Sequence, residues 1–285
     1  MNWKTSSMGP RIRGKTIIVT GASEGIGAAT ARALAERGAN LVLAARSRER
    51  LEALVEELAS FPCERLAVPT DVSVAEQRDR LVAETMSRFG RVDVLVNNAG
   101  VGLDSPVEES TPDEARYLFE VNFFAPLHLT QLVLPIMRRQ GGGQIIQVSS
   151  IVGIRATPNL GIYSATKYAL NGLSDTLRTE LVGTNIQVTS IYPGVTATRF
   201  VPNQIRTPRQ KARDRIAVPP EWVARAIVQS IEKRQRAAYV TWADFLAVNL
   251  ARLLPGLAEW ALGYGFRWRR GLGRGTAQQI SEPER

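Results

Sequence analysis

Thr16-Ile17-Ile18-Val19-Thr20-Gly21-Ala22-Ser23-Glu24-Gly25-Ile26-Gly27-Ala28-Ala29-Thr30-Ala31 begins as a short apolar, β-branched run and passes through three glycines. It then continues at once as a helical pattern. Glycines allow a tight turn and let the backbone approach a pyrophosphate, whose charge then rests at the positive end of the following helix. A glycine turn alone is a weak signal. Its place between a strand and a helix is what a dinucleotide site demands, and the turn from Gly21 through Ser23, Glu24, Gly25, Ile26 and Gly27 is the expected phosphate cradle.

The pattern repeats outward from this stretch. Asn40–Ala44, Arg65–Pro69, Val92–Val96, Gln144–Ser149 and Gln187–Tyr192 read as further buried strands. Ala28–Arg37, Arg48–Ser60 and Ala75–Phe89 carry charged and apolar residues at helical spacing. Such alternation argues for an α/β fold, a doubly wound parallel sheet with helices on both faces. The expected layout is a flexible N-terminal tail (1–13), one α/β domain (14–240) and a C-terminal helical extension with a basic tail (241–285). A basic, proline-punctuated lid at about 199–217 lies within the domain.

Composition narrows the classes. The chain has 285 residues, 44% hydrophobic and 22% charged, which excludes a mostly disordered chain, a collagen-like fibre and a polytopic membrane protein. One cysteine, Cys63, and one histidine, His128, leave no disulfide framework and almost no material for a metal site, so no metal is expected. A formal charge of +9 favours anionic partners. Met1–Gly9 lacks the apolar core of a signal peptide, and a cytoplasmic location is expected.

An acid about 20 residues beyond such a turn normally binds the ribose 2′-hydroxyl of NAD. Leu41-Val42-Leu43-Ala44-Ala45-Arg46-Ser47-Arg48 contains none. Arg46 follows the strand end instead, where a guanidinium suits a 2′-phosphate. NADP(H) is therefore the expected cofactor, with NAD(H) left open.

Tyr163 and Lys167 stand at i and i+4, on one face of a helix. A phenol with a pKa of about 10 is a poor acid–base group near neutrality, and a nearby ammonium lowers it. Ser150 follows the end of an apolar strand, where its hydroxyl can meet a reacting carbonyl.

With these residues in place the chain resembles the short-chain dehydrogenases/reductases, in their compact single-domain branch with a Rossmann fold. The resemblance runs from Gly14 to Val240 through Thr20–Gly27, Asp71-Val72, Asn97-Asn98-Ala99-Gly100, Asn122, Ser150, Tyr163–Lys167 and Pro193-Gly194 with Thr196 and Thr198. It implies an oxidoreductase that interconverts a ketone and a secondary alcohol. Tyr163 would exchange the proton, Lys167 would bind the nicotinamide ribose and acidify Tyr163, and Ser150 would polarise the carbonyl. Asn122 would hold a water that links Lys167 to solvent. Asp71 and Val72 would meet the adenine, Asn98, Ala99 and Gly100 would floor the cleft, and Thr196 or Thr198, after Pro193 and Gly194, would reach the carboxamide. Many NADP-preferring relatives carry a Lys or Arg where this chain has Glu24. A small-molecule substrate and a homodimer or homotetramer complete the implication.

Pocket walls are expected from Val101–Leu103, Ile151–Leu160 and the region after Pro193, largely apolar, with Arg155 as an anion contact. They suit a lipophilic ketone, a steroid-like compound or a ketoacyl thioester alike. His128 reads as a packed or dimer-face residue, Cys63 as a surface cysteine and Trp222 as core. A non-catalytic dinucleotide sensor is the alternative function, while nucleic-acid binding fits poorly because the cations cluster in the lid and tail. Trp242–Trp268 reads as two short apolar helices hinged at Pro255-Gly256, too interrupted for a membrane span. They suit either the surface of an anionic bilayer or a cover over the cleft or a second subunit.

Overall fold

The computed structural model describes residues 12–197 and 217–269. Thr198 and residues 199–216 of the expected lid lie outside the described residues, as do residues 1–11 of the tail. Seven parallel strands form one sheet in the order β3-β2-β1-β4-β5-β6-β7. They are β1 (Thr16–Thr20), β2 (Asn40–Ala45), β3 (Arg65–Pro69), β4 (Val94–Asn97), β5 (Gly143–Val148), β6 (Ile186–Tyr192) and β7 (Ala237–Tyr239). The helices are α1 (Gly25–Ala35), α2 (Arg48–Glu57), α3 (Ala75–Phe89), α4 (Pro112–Phe119), α5 (Ala125–Arg139), α6 (Gly161–Glu180), α7 (Pro220–Lys233), α8 (Trp242–Leu253) and α9 (Pro255–Arg269).

Strands covered on both faces can be apolar at every position. Successive residues of β1 accordingly feed two cores. Ile17 and Val19 join Leu41, Leu43, Val94 and Val96 in a layer closed by residues of α1, α2 and α7. Ile18 points the other way, with Val42, Val68, Leu95, Ile145 and Val188, against residues of α3, α5 and α6.

The expected strands recur within two residues of their ends, and β7 is additional. Ala-Ala-Tyr has no β-branched run to announce it; its pairing with Ser190–Tyr192 makes it a strand. Asn122 lies in a five-residue π turn, Glu120–Phe124, between α4 and α5, where the sequence suggests an ordinary helix. Such wide turns commonly mark functional sites. Trp222 is a correction: it is 48% exposed, because the buried face of α7 is taken by Val223, Ala224, Ile227, Val228 and Ile231. Cys63 is half-buried rather than superficial, packed against the first core.

β1 lies between β2 and β4, so the chain leaves its C-terminal end toward one side and that of β4 toward the other. Ligands of such sheets bind in the crevice this reversal opens.

Candidate active site

The crevice is built from backbone held at very close range. Gly21 has φ +65°, and a Cβ there would lie 2.9 Å from Ala99 Cα. At Gly27 a Cβ would stand 2.0 Å from the Gly21 carbonyl oxygen. Neither position accepts a side chain. The Thr20 hydroxyl accepts from the N–H groups of Asn98 and Ala99, both at 3.0 Å, and donates to the Val96 carbonyl at 3.2 Å. Asn98 Nδ2 donates to the Thr20 carbonyl at 2.8 Å. The glycine turn and the Asn97–Gly100 loop are thereby locked side by side.

The first turn of α1 has no acidic residue and no side-chain cap: Glu24, at the capping position, sends its carboxylate to Arg50 Nη1 at 2.8 Å. Amide groups of an uncapped helix start are available to an anion. A bare, glycine-walled helix N-terminus fits the pyrophosphate of a dinucleotide. Ala22 N–H donates to the Ala44 carbonyl at 3.1 Å, so the end of β2 abuts the turn. Arg46, two residues on, is exposed and makes no hydrogen bond or ion pair with any described residue. Arg50, which the sequence reading passes over, stands one helical turn further, beside Glu24. Its spacing of four from Arg46 is the signal that could have found it.

On the far side, Asp71 Oδ1 accepts from Ser73 N–H (2.9 Å) and Ser73 Oγ (2.7 Å). Val72 is buried with Val121 and Ala125 against Ala99 and Val101. Buried Arg78 donates to the Val72 carbonyl and to Glu120, both at 2.8 Å, and to His128 Nδ1 at 3.1 Å. This fastens the Asp71-Val72 corner to the π turn, and it gives His128 a structural partner. A contact spanning α3 and α5 has no sequence signal.

Ser150, Tyr163 and Lys167 meet at the end of β5. Ser150 Oγ donates to the Pro193 carbonyl at 3.3 Å, accepts from Val152 N–H at 3.3 Å, and is also hydrogen-bonded to Tyr163. Lys167 Nζ donates to the Val148 carbonyl at 3.0 Å and lies 5.7 Å from the Tyr163 ring centroid. The expected acidification of Tyr163 is not seen. Burial pushes the phenol up to about 12, opposed only by the Ser150 hydrogen bond, and burial pulls Lys167 down to about 8. Desolvation outweighs a charge whose hydrogen bond points elsewhere.

Asn122 is fully buried, and its amide is committed. Nδ2 donates to the Val101 carbonyl (2.9 Å) and to Thr166 Oγ1 (3.1 Å), while Oδ1 accepts from Val101 N–H (2.9 Å). Its side chain is a brace between the cleft floor and α6. A Cβ on Gly100 would lie 3.2 Å from Asn122 Oδ1 and 3.8 Å from Lys167 Nζ, so all three share one corner. Thr196 turns its hydroxyl to the Gly194 carbonyl at 3.3 Å.

Two contacts from the C-terminal helices reach this end of the sheet. A Cβ on Gly194 would lie 2.5 Å from Asp244 Oδ1, and Arg155 Nη2 is 3.5 Å from Glu259 Oε1. The anion met by Arg155 here belongs to the chain itself. Among the described residues no His/Cys/Asp/Glu group could hold a metal ion.

Residues 15–209 match the short chain dehydrogenase family. An uncharacterized oxidoreductase of Listeria monocytogenes is 41% identical over 192 residues, covering 67% of this chain and 77% of the relative. A short-chain dehydrogenase/reductase from Burkholderia phymatum, solved in complex with NAD, superposes with a TM-score of 0.79 at 27% identity, over 87% of this chain and 96% of that one. L-Sorbose reductase from Gluconobacter frateurii, solved with NADPH and L-sorbose, gives 0.74 at 32%, over 82% and 97%. The chain belongs to the short-chain dehydrogenase/reductase family and is an oxidoreductase.

Proposed function

We propose that the protein reduces a lipophilic ketone to a secondary alcohol, reversibly, with NADP(H). The observation that carries the reading is the meeting of Ser150, Tyr163 and Lys167 at the end of β5, next to a glycine-walled crevice. Bound NADPH would supply the hydride that adds to the carbonyl carbon. The glycine turn Gly21–Gly27 and the first turn of α1 would hold the pyrophosphate, Asp71 and Val72 would flank the adenine, and Asn98–Gly100 would form the floor. Arg46, with Arg50 behind it, would hold the 2′-phosphate. Thr196 and the Pro193-Gly194 turn would meet the carboxamide.

Ser150 orients the carbonyl oxygen toward Tyr163. Burial keeps the Tyr163 phenol protonated near neutral pH, so the proton is in place for reduction, and the Lys167 ammonium beside it lowers the cost of releasing it. The phenol O–H bond breaks as the new alcohol O–H forms, leaving a phenolate. Lys167, at about 8, is largely an ammonium at neutral pH and stabilises that phenolate until a proton returns from solvent. Apolar Ile151, Val152, Ile154 and Leu160 line the substrate side. The same reading has a homodimer or homotetramer working in the cytoplasm.

A panel of ketones offered with NADPH and, in parallel, with NADH tests it by loss of reduced cofactor. Faster turnover of NADPH is expected. Cofactor binding with no turnover of any ketone would instead favour a dinucleotide sensor, and equal use of both cofactors would remove the assignment to Arg46.

A further inference from the structure

Helices α8 and α9 invert the usual arrangement of a surface helix. Over Trp242–Gly265 the chain has three charged residues, Asp244, Arg252 and Glu259. Both acids have partners within the chain. Asp244 accepts from Thr241 Oγ1 at 2.8 Å and lies against Gly194, and Glu259 pairs with Arg155. The large apolar side chains face outward: Trp242 is 79% exposed, Leu253 77% and Trp260 67%, with Leu246, Leu250 and Leu257 close behind. In α8 Val248 is the buried residue. Trp260 and Tyr264 stack with ring centroids 5.9 Å apart and remain open. A soluble monomer rarely leaves so many large apolar side chains of one segment open.

We propose that this face docks on the surface of an anionic bilayer. No single described helix is long and apolar enough to cross a membrane, and the pair is bent by 114° at Leu254. A bent pair whose exposed positions are mostly apolar is suited to lie in the interface plane with its leucines at the acyl boundary. Trp242, Trp260 and Tyr264 supply the aromatic side chains that settle at headgroup depth. The sequence then runs through Arg267, Arg269, Arg270 and Arg274 with no acid before Glu282. Four cations directly after an apolar face complement anionic headgroups. A second copy of this chain brings the same formal charge of +9 and the same arginine-rich stretch, whereas an anionic bilayer brings the opposite sign. Charge therefore selects lipid over a second copy.

The test uses the full-length protein and vesicle flotation, with phosphatidylcholine alone or mixed with phosphatidylglycerol. Co-flotation is expected with the mixed vesicles only, and it should weaken as salt shortens the screening length. Leu253→Asp and Leu257→Asp, both at exposed positions, should each reduce the bound fraction about tenfold. Unchanged thermal melting of these variants would show that they remain folded. Protein left at the bottom of the low-salt gradient with the mixed vesicles overturns the proposal. So does equal flotation with both vesicles, or flotation indifferent to the aspartates. If sedimentation shows a dimer that the aspartates dissociate and no vesicle binding, the face is a subunit contact and the proposal fails. Flotation needs no turnover, so the outcome is independent of the proposed activity.

Discussion

Helices α1 and α8 are nearly the same length, 11 and 12 residues, and both are rich in apolar side chains. α1 buries seven of its residues, packed between β1, β2 and α7, and turns Arg32 outward to Glu57 at 2.5 Å. α8 buries Val248, turns Asp244 inward and leaves its leucines in the open. Composition sets how much surface needs cover, and the path of the chain decides whether the protein supplies that cover itself. Around α1 it does, through Ala28, Ala31 and Ala35, small enough for the backbones to close. Around α8 the described residues do not, and the proposed bilayer contact would supply that cover.

That contrast is open to measurement. Catalysis should reside at the β5 end of the crevice, on the self-covered sheet domain and away from α8, so Tyr163→Phe, which keeps the ring and removes the transferable proton, should lower kcat by about 10²–10⁴-fold. Cofactor fluorescence titration should show binding retained; a variant with most of its activity would refute the proton-transfer assignment. Leu34, fully buried in α1, should cost about 2–5 kcal/mol on replacement by alanine, read from denaturant unfolding. Arg46→Ala should erode the NADPH-over-NADH preference by about 1–3 kcal/mol, from the ratio of kcat/KM values. The smallest effect belongs to α8. Leu253→Ala should change stability by no more than about 0.5 kcal/mol in the absence of lipid. A loss as large as that of Leu34→Ala would mean that α8 is covered in solution, and the contrast would collapse.

The sheet was legible because each of β1 to β6 is an apolar run stopped by a glycine, proline or polar turn. β7 was not, since Ala237-Ala238-Tyr239 owes its extension to β6 and not to its own residues. At the site, Tyr163, Lys167 and Ser150 were legible as types at a spacing. The direction of the Tyr163 shift was not, because it depends on how much water the fold removes, and that is a property of packing. Arg78, Asp244 and Glu259 escaped for a related reason: each acts through a partner far along the chain, and periodicity reports only neighbours within a turn or two. Trp222 shows the limit of amphipathic pattern, which finds the buried stripe of α7 but not which bulky residue falls just off it.

The Thr20 hydroxyl bridges residues 76–79 positions apart, so it has a bearing on how the chain folds. The crevice has its second wall only where β4 lies against β1. Contacts of such long range form late and slow folding, which gives the binding groove no local precursor. No fragment that ends before Asn98 can assemble it. A dinucleotide seated there braces the global fold, and saturating concentrations should raise the melting temperature in proportion to the logarithm of ligand over Kd.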